Sequence, residues 1–483
     1  MPSAHIDITR AAIETALAAG AGYADARAVH TTSERFAVGT GRLTAAHTDE
    51  SMGLGVRVQV DGVLGFAAGS DLSRDGLRAT VEHAVELARA GGPVQRVRLA
   101  DRPVATGYYA TPIAEDPASI GTSEKVDLLL AADAAAREVR GVTATQVDLG
   151  WRHERKAYAD SEGSTLEQDL WSIGAGLEVY ASNDSERQRR SCPDSRGGRW
   201  ATGGFEFVRA LDLPGQAGRV AEEAVELLTA PVCPSGPTTV ILDPSQLHLQ
   251  IHESCGHAFE GDRILGDEAA YAGTSFVTPA MAADGFRYGS DLVTLVADAT
   301  AAGGLGTFGW DDEGVPAQRV PLVEAGRVTG LLTSRASAGE LGVRAGGQVR
   351  AESWNRLPMI RMTNINLEPV PGHSLDDLIA ATDDGLYLST NKSWSIDDRR
   401  WGFQFGTEVA REIRGGELGR LYRNPTYSGT TVDFWRSCDL VGDAGSYVMY
   451  GSPNCAKGMP PQAGYVGHGS PAARFRNVEV RGA

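Results

Sequence analysis

The chain has 483 residues, too many for one compact core, so we expect two or three domains. It has 45 Lys and Arg against 62 Asp and Glu residues, and the formal net charge of −17 argues against nucleic acid and anionic lipid membranes as partners. No apolar run approaches the roughly 20 residues that span a bilayer, and the first residues carry neither a basic n-region nor an apolar h-region. We therefore expect a cytoplasmic protein whose five cysteines are thiols.

The first 230 residues predict helices that alternate with strands. Apolar periodicity, Gly breaks and Ala-rich composition predict four helices, at 8–19, 71–90, 123–139 and 216–228. The runs 53–60 and 62–67 predict two strands joined by an Asp61-Gly62 hairpin turn. The segment 143–183 predicts longer antiparallel strands around a turn at 161–164.

A segment rich in proline and glycine, 231–237, is the strongest linker candidate. It divides the chain into an N-terminal mixed α/β domain, 1–230, and a C-terminal domain, 231–483. After the linker, 238–242 predicts a buried strand and Asp243-Pro244-Ser245 a helix start. Later apolar runs predict antiparallel strands at 292–297, 320–332, 357–366 and 387–406. The predicted class is α+β, with a mainly antiparallel β C-terminal domain that carries the helix described next.

The helix after the linker contains His252-Glu253-Ser254-Cys255-Gly256-His257, two imidazoles and a carboxylate within six residues. That is the composition of a metal-hydrolase site, in which ring nitrogens bind zinc and a carboxylate acts on water. Each residue of a regular α-helix turns about 100°, so the two histidines would point about 140° apart. Both rings can bind one ion only if the helix ends or bulges between them, as a π-type turn would, and Gly256 lies where a break is easiest.

Other residues compete for the same role. His248 shares a helical face with His252, and the plain alternative is an amphipathic helix whose core side carries Leu247, Ile251 and Cys255. Two histidines leave a catalytic zinc one ligand short of the usual three. The candidates for the third ligand are Glu260, Asp262, Cys438, Cys455 and His468.

Cys455 is attractive among these candidates because it follows a turn-rich run, 451–454. That run predicts a loop tip, from which a thiol could reach a site built elsewhere in the fold. A lone cysteine is nevertheless more often a small buried hydrophobe than a ligand, so the residues alone leave the choice open.

The run 251–262 resembles the signature helix of the TldD/PmbA family of metallopeptidases, and specifically that of its TldD-type subunit. The resemblance covers most of the chain and is strongest after the linker. Further similar stretches follow in the family's order, at 311–314, 350–353, 355–358, 393–397 and 451–458.

The resemblance implies that His252 and His257 are zinc ligands, that Cys455 completes the zinc site and that Glu253 is the catalytic glutamate. It also removes His248 and Cys438 from the ligand set. PmbA-type subunits lack the His-Glu motif, so the resemblance implies the metal-bearing type. It further implies a homodimer, or a heterodimer with a PmbA/TldE-type subunit, around a central cavity.

The expected function is therefore that of a zinc-dependent peptidase that cleaves small or unfolded peptides, including precursors in peptide maturation. Glu253 would be the general base for the attacking water. Two alternatives stay open at this point. One is an amide-hydrolysing tailoring enzyme in a biosynthetic pathway, and the other is a non-catalytic scaffold or modulator stabilised by its metal.

Overall fold

The computed structural model describes residues 4–92, 96–271 and 273–482, and it confirms an α+β protein with mainly antiparallel sheets. Within these residues no helix is both long and apolar enough to cross a bilayer. The helices are α1 (Ala4–Ala18), α2 (Arg74–Ala90), α3 (Thr122–Arg137), α4 (Phe205–Leu211), α5 (Leu213–Glu226), α6 (Pro244–Gln250), α7 (Gly261–Leu265), α8 (Pro279–Ala283), α9 (Arg335–Leu341), α10 (Leu375–Ala380) and α11 (Thr431–Arg436).

The first half of the chain builds most of a ten-stranded sheet, ordered β22-β21-β8-β6-β5-β1-β2-β3, with β4 and β7 also pairing with β6. Helices α1 and α2 pack against one part of this sheet, and α3 and α5 against another. Its strands are β1 (Tyr23–Gly39), β2 (Arg42–Val60), β3 (Val63–Gly69), β4 (Thr106–Ala110), β5 (Val142–Asp160), β6 (Thr165–Ser182), β7 (Arg187–Cys192), β8 (Arg199–Thr202), β21 (Val448–Lys457) and β22 (Gln462–Ser470).

Two of these strands come from the C-terminal part of the chain. Gly451 on β21 pairs with Trp200 on β8, so the ten-stranded sheet contains strands from both sides of the predicted boundary at residue 231. The division into 1–230 and 231–483 stays a prediction, and the two parts share one hydrogen-bonded sheet.

The second half builds a seven-stranded sheet, ordered β16-β9-β23-β19-β17-β18, with β20 beside β23. A further pairing of β16 with β17 closes this order on itself. The strands are β9 (Gly236–Leu242), β16 (Asp384–Ile396), β17 (Gly402–Arg414), β18 (Glu417–Tyr422), β19 (Pro425–Thr430), β20 (Cys438–Val441) and β23 (Ala473–Gly482). Smaller sheets contain β10 (Leu295–Asp298), β11 (Arg319–Glu324), β12 (Arg327–Val328), β13 (Val349–Arg350), β14 (Met359–Ile360) and β15 (Ile365–Leu367).

Four strand predictions were wrong in extent, and one of them, 387–406, covers parts of two antiparallel strands, β16 and β17, and the turn between them. The predicted strand 53–60 is the end of β2, whose first nine residues are exposed and therefore show no alternation of apolar and polar residues. The predicted strand 320–332 is the hairpin of β11 and β12, because Ala325 and Gly326 both have positive φ and turn the chain back. The predicted strand 357–366 reduces to β14 and the start of β15.

Candidate metal centre

The helix that carries the motif is fixed at its start by a side-chain cap. The Asp243 carboxylate accepts a hydrogen bond from the Ser245 backbone N–H at 2.9 Å, and Pro244 occupies the first helical turn. Helix α6 then runs into the core, where Leu247 on the helix and Ile251 and Cys255 just beyond it are fully buried.

Polar residues of α6 find partners inside this core. Gln246 Nε2 donates to the Tyr427 hydroxyl at 2.8 Å, and that hydroxyl donates to Gln250 Oε1 at 3.0 Å. Burying these amides without partners would be costly, so the bonds allow a helix with polar residues to lie in the interior. They also fix its rotation about its own axis, and hence the direction in which His252 points.

Between the two motif histidines the helix is a π-helix, over Ile251–Gly256. The His257 backbone N–H donates to the His252 carbonyl, which is an i→i+5 bond. This extra residue per turn brings the two rings to the same side, with centroids 4.8 Å apart and planes at 88°. The prediction of an irregular helix between the histidines is confirmed.

Gly256 is required here for space and not for an unusual backbone conformation. Its φ and ψ of −55° and −62° are helical, so the expectation of an easy backbone break at this position was wrong. A Cβ atom at Gly256 would lie 1.9 Å from the Met362 sulfur. The absent side chain lets the segment that follows β14 pack directly on the π-helical turn.

Cys455 lies within β21, and the prediction of a loop tip was wrong. Between Ser452 and Cys455 the strand advances three residues while its partner β22 advances two, which is a β-bulge. The turn-rich run 451–454 thus bends a strand instead of ending it. The bulge directs the Cys455 thiol to the motif helix, with Sγ 3.6 Å from His257 Nε2.

Among the residues that the structure describes, His252, His257 and Cys455 form the one group of candidate donors that could hold a metal ion. One donor atom from each lies within 4.8 Å of the others, and all three residues are buried. Donors about 2.0–2.1 Å (nitrogen) and 2.3 Å (sulfur) from one tetrahedral zinc ion lie about 3.6 Å apart. The spacing between His257 and Cys455 therefore suits this donor set.

The protonation states of the three side chains also favour metal binding. Burial lowers the pKa of His252 to about 4 and lowers that of His257. Both imidazoles are thus neutral near pH 7. Burial would raise the pKa of the Cys455 thiol, but the Arg361 guanidinium and His257 outweigh this effect and lower it. Neutral imidazoles and a thiolate are the forms that bind zinc.

Two of the other candidate ligands support the histidines from behind. Glu260 Oε2 lies 2.9 Å from His257 Nδ1, and His468 Nε2 lies 2.7 Å from His252 Nδ1. A partner on Nδ1 fixes the ring and leaves Nε2 to bind a metal. Glu260 and His468 thus contact the Nδ1 side of the two histidines and do not belong to the group of candidate donors.

The remaining candidates are held elsewhere. Asp262 accepts two hydrogen bonds from Lys457 Nζ, at 2.7 and 2.8 Å. His248 Nε2 lies 3.0 Å from an Asp194 carboxylate oxygen. Cys438 is buried on β20, where it was expected as a strand thiol, and its Sγ contacts a backbone carbonyl.

Glu253 lies beside the three donors, on the wall of a cavity of about 750 Å³. Its Oε2 accepts a hydrogen bond from Arg400 Nη1 at 2.8 Å. The same cavity is lined by His252, His257 and Cys455, so the carboxylate and the donors face one space. A cavity of this size can take a segment of an extended peptide.

Arg400, His468 and Arg361 were not assigned these roles from the sequence. Arg400 follows the stretch 393–397, whose resemblance to the family was noted, but nothing local indicates that it reaches Glu253. His468 was considered only as a ligand. Their roles depend on contacts between distant parts of the chain, which local patterns do not encode.

Matches to known proteins and protein families cover most of the chain. Family models described as PmbA/TldA metallopeptidase match residues 24–88 (domain 1), 115–230 (central domain) and 235–482 (C-terminal domain). A protein of Methanothermobacter thermautotrophicus named Metalloprotease is 31% identical over 463 residues, 95% of each chain. A protein of Saccharolobus solfataricus named Zinc metalloprotease TldD homolog is 26% identical, over 51% of this chain and 52% of its own.

A solved structure shows the same fold. TldE from Thermococcus kodakarensis aligns with a TM-score of 0.75 and 16% sequence identity. The alignment covers 98% of this chain and 100% of the other.

Proposed function

Because the chain belongs to the PmbA/TldD family of metallopeptidases, we propose that it is a zinc-dependent peptidase that cleaves small or unfolded peptides, with Glu253 as general base. The observation that carries the proposal is the convergence of His252, His257 and Cys455 beside Glu253 on one cavity. Three protein donors leave one tetrahedral position for water or substrate, as in catalytic zinc sites, whereas structural sites use four.

The chain's own residues would supply binding and proton transfer. A zinc ion held by the three donors would polarise the scissile carbonyl and make the attacking water more acidic. Glu253 accepts the proton of that water and delivers it to the nitrogen of the leaving peptide. The donors and Glu253 are buried, and electrostatic interactions between buried groups are screened less than those at the surface.

We further propose that the protein acts as a dimer, either with a second copy or with a PmbA/TldE-type subunit. The likeness to TldE supports a fold shared by both kinds of subunit. Sedimentation should give twice the 51.0 kDa chain mass, or a one-to-one complex with the partner. A fully active monomer would contradict this part of the proposal.

Substitution of Glu253 by Gln tests the catalytic role. The amide keeps the size of the side chain but cannot accept the proton, so kcat on a flexible peptide should fall by about 10²–10⁴-fold while zinc content and Tm are retained. Asp398→Asn is the matched control, because it removes a negative charge from the same cavity at an exposed position. Activity of Glu253→Gln within about tenfold of the wild type would sink the assignment.

Substitution of Cys455 by Ser tests the ligand set. Loss of the thiolate should lower zinc content below one ion per chain, measured by metal analysis after dialysis. Cys438→Ser is the control, because it removes another buried thiol of the same region that lies outside the donor group. Full zinc retention in Cys455→Ser would show that the third ligand is wrong.

A further inference from the structure

Arg400 adopts a backbone conformation that its residue type does not favour. Its φ is +65°, in the left-handed region. There the Cβ atom of most residues clashes with the backbone, so Gly or Asn is usual. The strain is retained in a residue that lines the cavity of the candidate metal centre. Such outliers persist where the surrounding structure enforces them, and they cluster at functional sites.

The turn between β16 and β17 enforces this conformation. The Asp397 carboxylate accepts hydrogen bonds from three backbone N–H groups of the turn, at distances between 2.6 and 3.0 Å. The Thr431 hydroxyl donates to the Arg400 carbonyl at 2.7 Å. Hydrogen bonds on either side of Arg400 and at its own carbonyl thus fix its backbone, and its side chain points into the cavity.

The side chain of Arg400 ends on the carboxylate of Glu253. Nη1 lies 2.8 Å from Oε2, and the two side chains are 13% and 8% exposed. A carboxylate this deeply buried is costly without a charged partner, so the ion pair fixes where the Glu253 carboxylate lies. The turn therefore places the Arg400 guanidinium against the Glu253 carboxylate, which lines the same cavity as the three donors.

We propose that Arg400 is a positioning residue for Glu253, whose carboxylate it holds in place and turned towards the cavity. The proposal rests on the proposed peptidase function for its catalytic consequence, but the contact itself can be tested without catalysis. Arg400 acts here through Glu253 and not by binding substrate. The rate of the chemical step should therefore depend on it more than substrate affinity does.

Arg400→Gly is the sharpest variant, because glycine adopts φ of +65° without strain. The fold and the zinc content should be kept, while Tm falls, because the relief of backbone strain does not offset the loss of the charged partner of the buried Glu253 carboxylate. On a flexible peptide, kcat should fall by about 100-fold or more, since the general base is no longer held, while KM changes by less than about threefold. Guanidinium added at low millimolar concentration should restore about tenfold of the lost rate by occupying the vacated position.

Arg399→Ala is the matched control. It removes an exposed arginine from the same turn, and its kcat should match that of the wild type. Wild-type kcat in Arg400→Gly would overturn the proposal. A rise in KM alone would assign Arg400 to substrate binding, and loss of zinc or of the cooperative unfolding transition would assign it to structure, so either result also overturns the proposal.

A binding experiment separates this proposal from the peptidase function. Acetohydroxamic acid chelates zinc and can donate a hydrogen bond to a carboxylate beside it. Its affinity for zinc-loaded Arg400→Gly should be about tenfold lower than for the wild type, which corresponds to one lost hydrogen bond to a charged group. Equal affinity would overturn the role of Arg400. An inactive wild type that still shows the tenfold difference would reject the peptidase function and keep the positioning role.

Discussion

His468 Nε2 lies 2.7 Å from His252 Nδ1, and both imidazoles are buried. Burial lowers the pKa of His252 to about 4 and that of His468 well below its usual value, so a hydrogen bond joins two neutral rings. When His252 Nδ1 donates this bond, its Nε2 keeps the lone pair that a metal needs. His468 reaches His252 from β22, more than two hundred residues away along the chain, and orients its ring through this bond.

His468→Ala should weaken zinc binding by about 10–100-fold, the usual cost of losing the group that orients a ligating histidine. His468→Gln is the informative companion, because its amide oxygen can still accept from His252 Nδ1 and should recover part of the affinity. Competition against a zinc chelator of known affinity measures both. Equal zinc affinity in the wild type and His468→Ala would show that His252 needs no partner.

Glu260→Gln should reduce both zinc affinity and stability. Burial would raise the pKa of Glu260, but Lys457 and His257 outweigh it and hold the pKa well below its ordinary range. The carboxylate also pairs with Arg263 Nε at 2.7 Å. A neutral amide removes one negative charge from this cluster of buried cations, so the free energy of unfolding should fall by about 3–5 kcal/mol.

Urea unfolding of metal-free Glu260→Gln measures the stability loss, and chelator competition measures zinc affinity. Glu412→Gln is a control, because Glu412 on β17 pairs with two exposed arginines, Arg414 on the same strand and Arg420 on β18, and the change should cost less than about 1 kcal/mol. If Glu260→Gln unfolds at the wild-type urea concentration, the buried ion cluster does not support the site.

Gly256→Ala should destabilise the protein, because the new methyl group would lie 1.9 Å from the Met362 sulfur. Overpacking of a buried position costs about 1–3 kcal/mol, and the displaced π-helical turn should also lower zinc affinity. Gly218→Ala is the matched control, since it lies within α5 with no atom within 4 Å of the added Cβ. It should be neutral or stabilising by up to about 1 kcal/mol. Equal Tm values for the two variants would contradict the packing argument.

The sequence predicted those parts of the site that depend on local spacing. The five-residue separation of His252 and His257 required an irregular helix, and the structure has a π-helix there. The alternative of an amphipathic helix with Leu247, Ile251 and Cys255 on its core side was wrong, because residues 250–260 are all buried.

What the sequence could not supply are the contacts between distant strands. Cys455 was selected from five candidate third ligands by family resemblance and not by its local pattern, and its turn-rich neighbours indicated a loop where a bulged strand is present. His468 and Arg400 reach the motif from β22 and from the turn after β16. Contacts between residues so far apart along the chain depend on how the whole sheet packs. Neither contact could therefore be predicted from a short stretch of sequence.

Asp312 joins the C-terminal part of the chain to the ten-stranded sheet. Its carboxylate lies 3.1 Å from Arg27 Nη1 on β1 and 2.7 Å from Lys156 Nζ on β5, and Glu154 also pairs with that lysine. Burial would raise the pKa of Asp312, but Lys156 and Arg27 outweigh it and lower the pKa to about 2. Asp312→Asn should therefore cost about 3–5 kcal/mol at pH 7, because buried Arg27 loses its carboxylate partner and buried Lys156 keeps only Glu154.

The same contact predicts an acid-sensitive stability. The folded pKa of about 2 lies below the ordinary 3.8, so the unfolded chain binds more protons between these values and stability falls as the pH falls from about 4 to about 2. The loss expected from this one group is about 2–3 kcal/mol. Urea unfolding of the wild type and of Asp312→Asn, both metal-free, at about pH 5, 4 and 3 measures this effect. Zinc release does not contribute, because neither protein carries zinc. The variant should lose less stability over this range than the wild type. Parallel losses in both proteins would show that Asp312 is not the group that titrates, and that the join between the two parts of the chain is held by its other contacts.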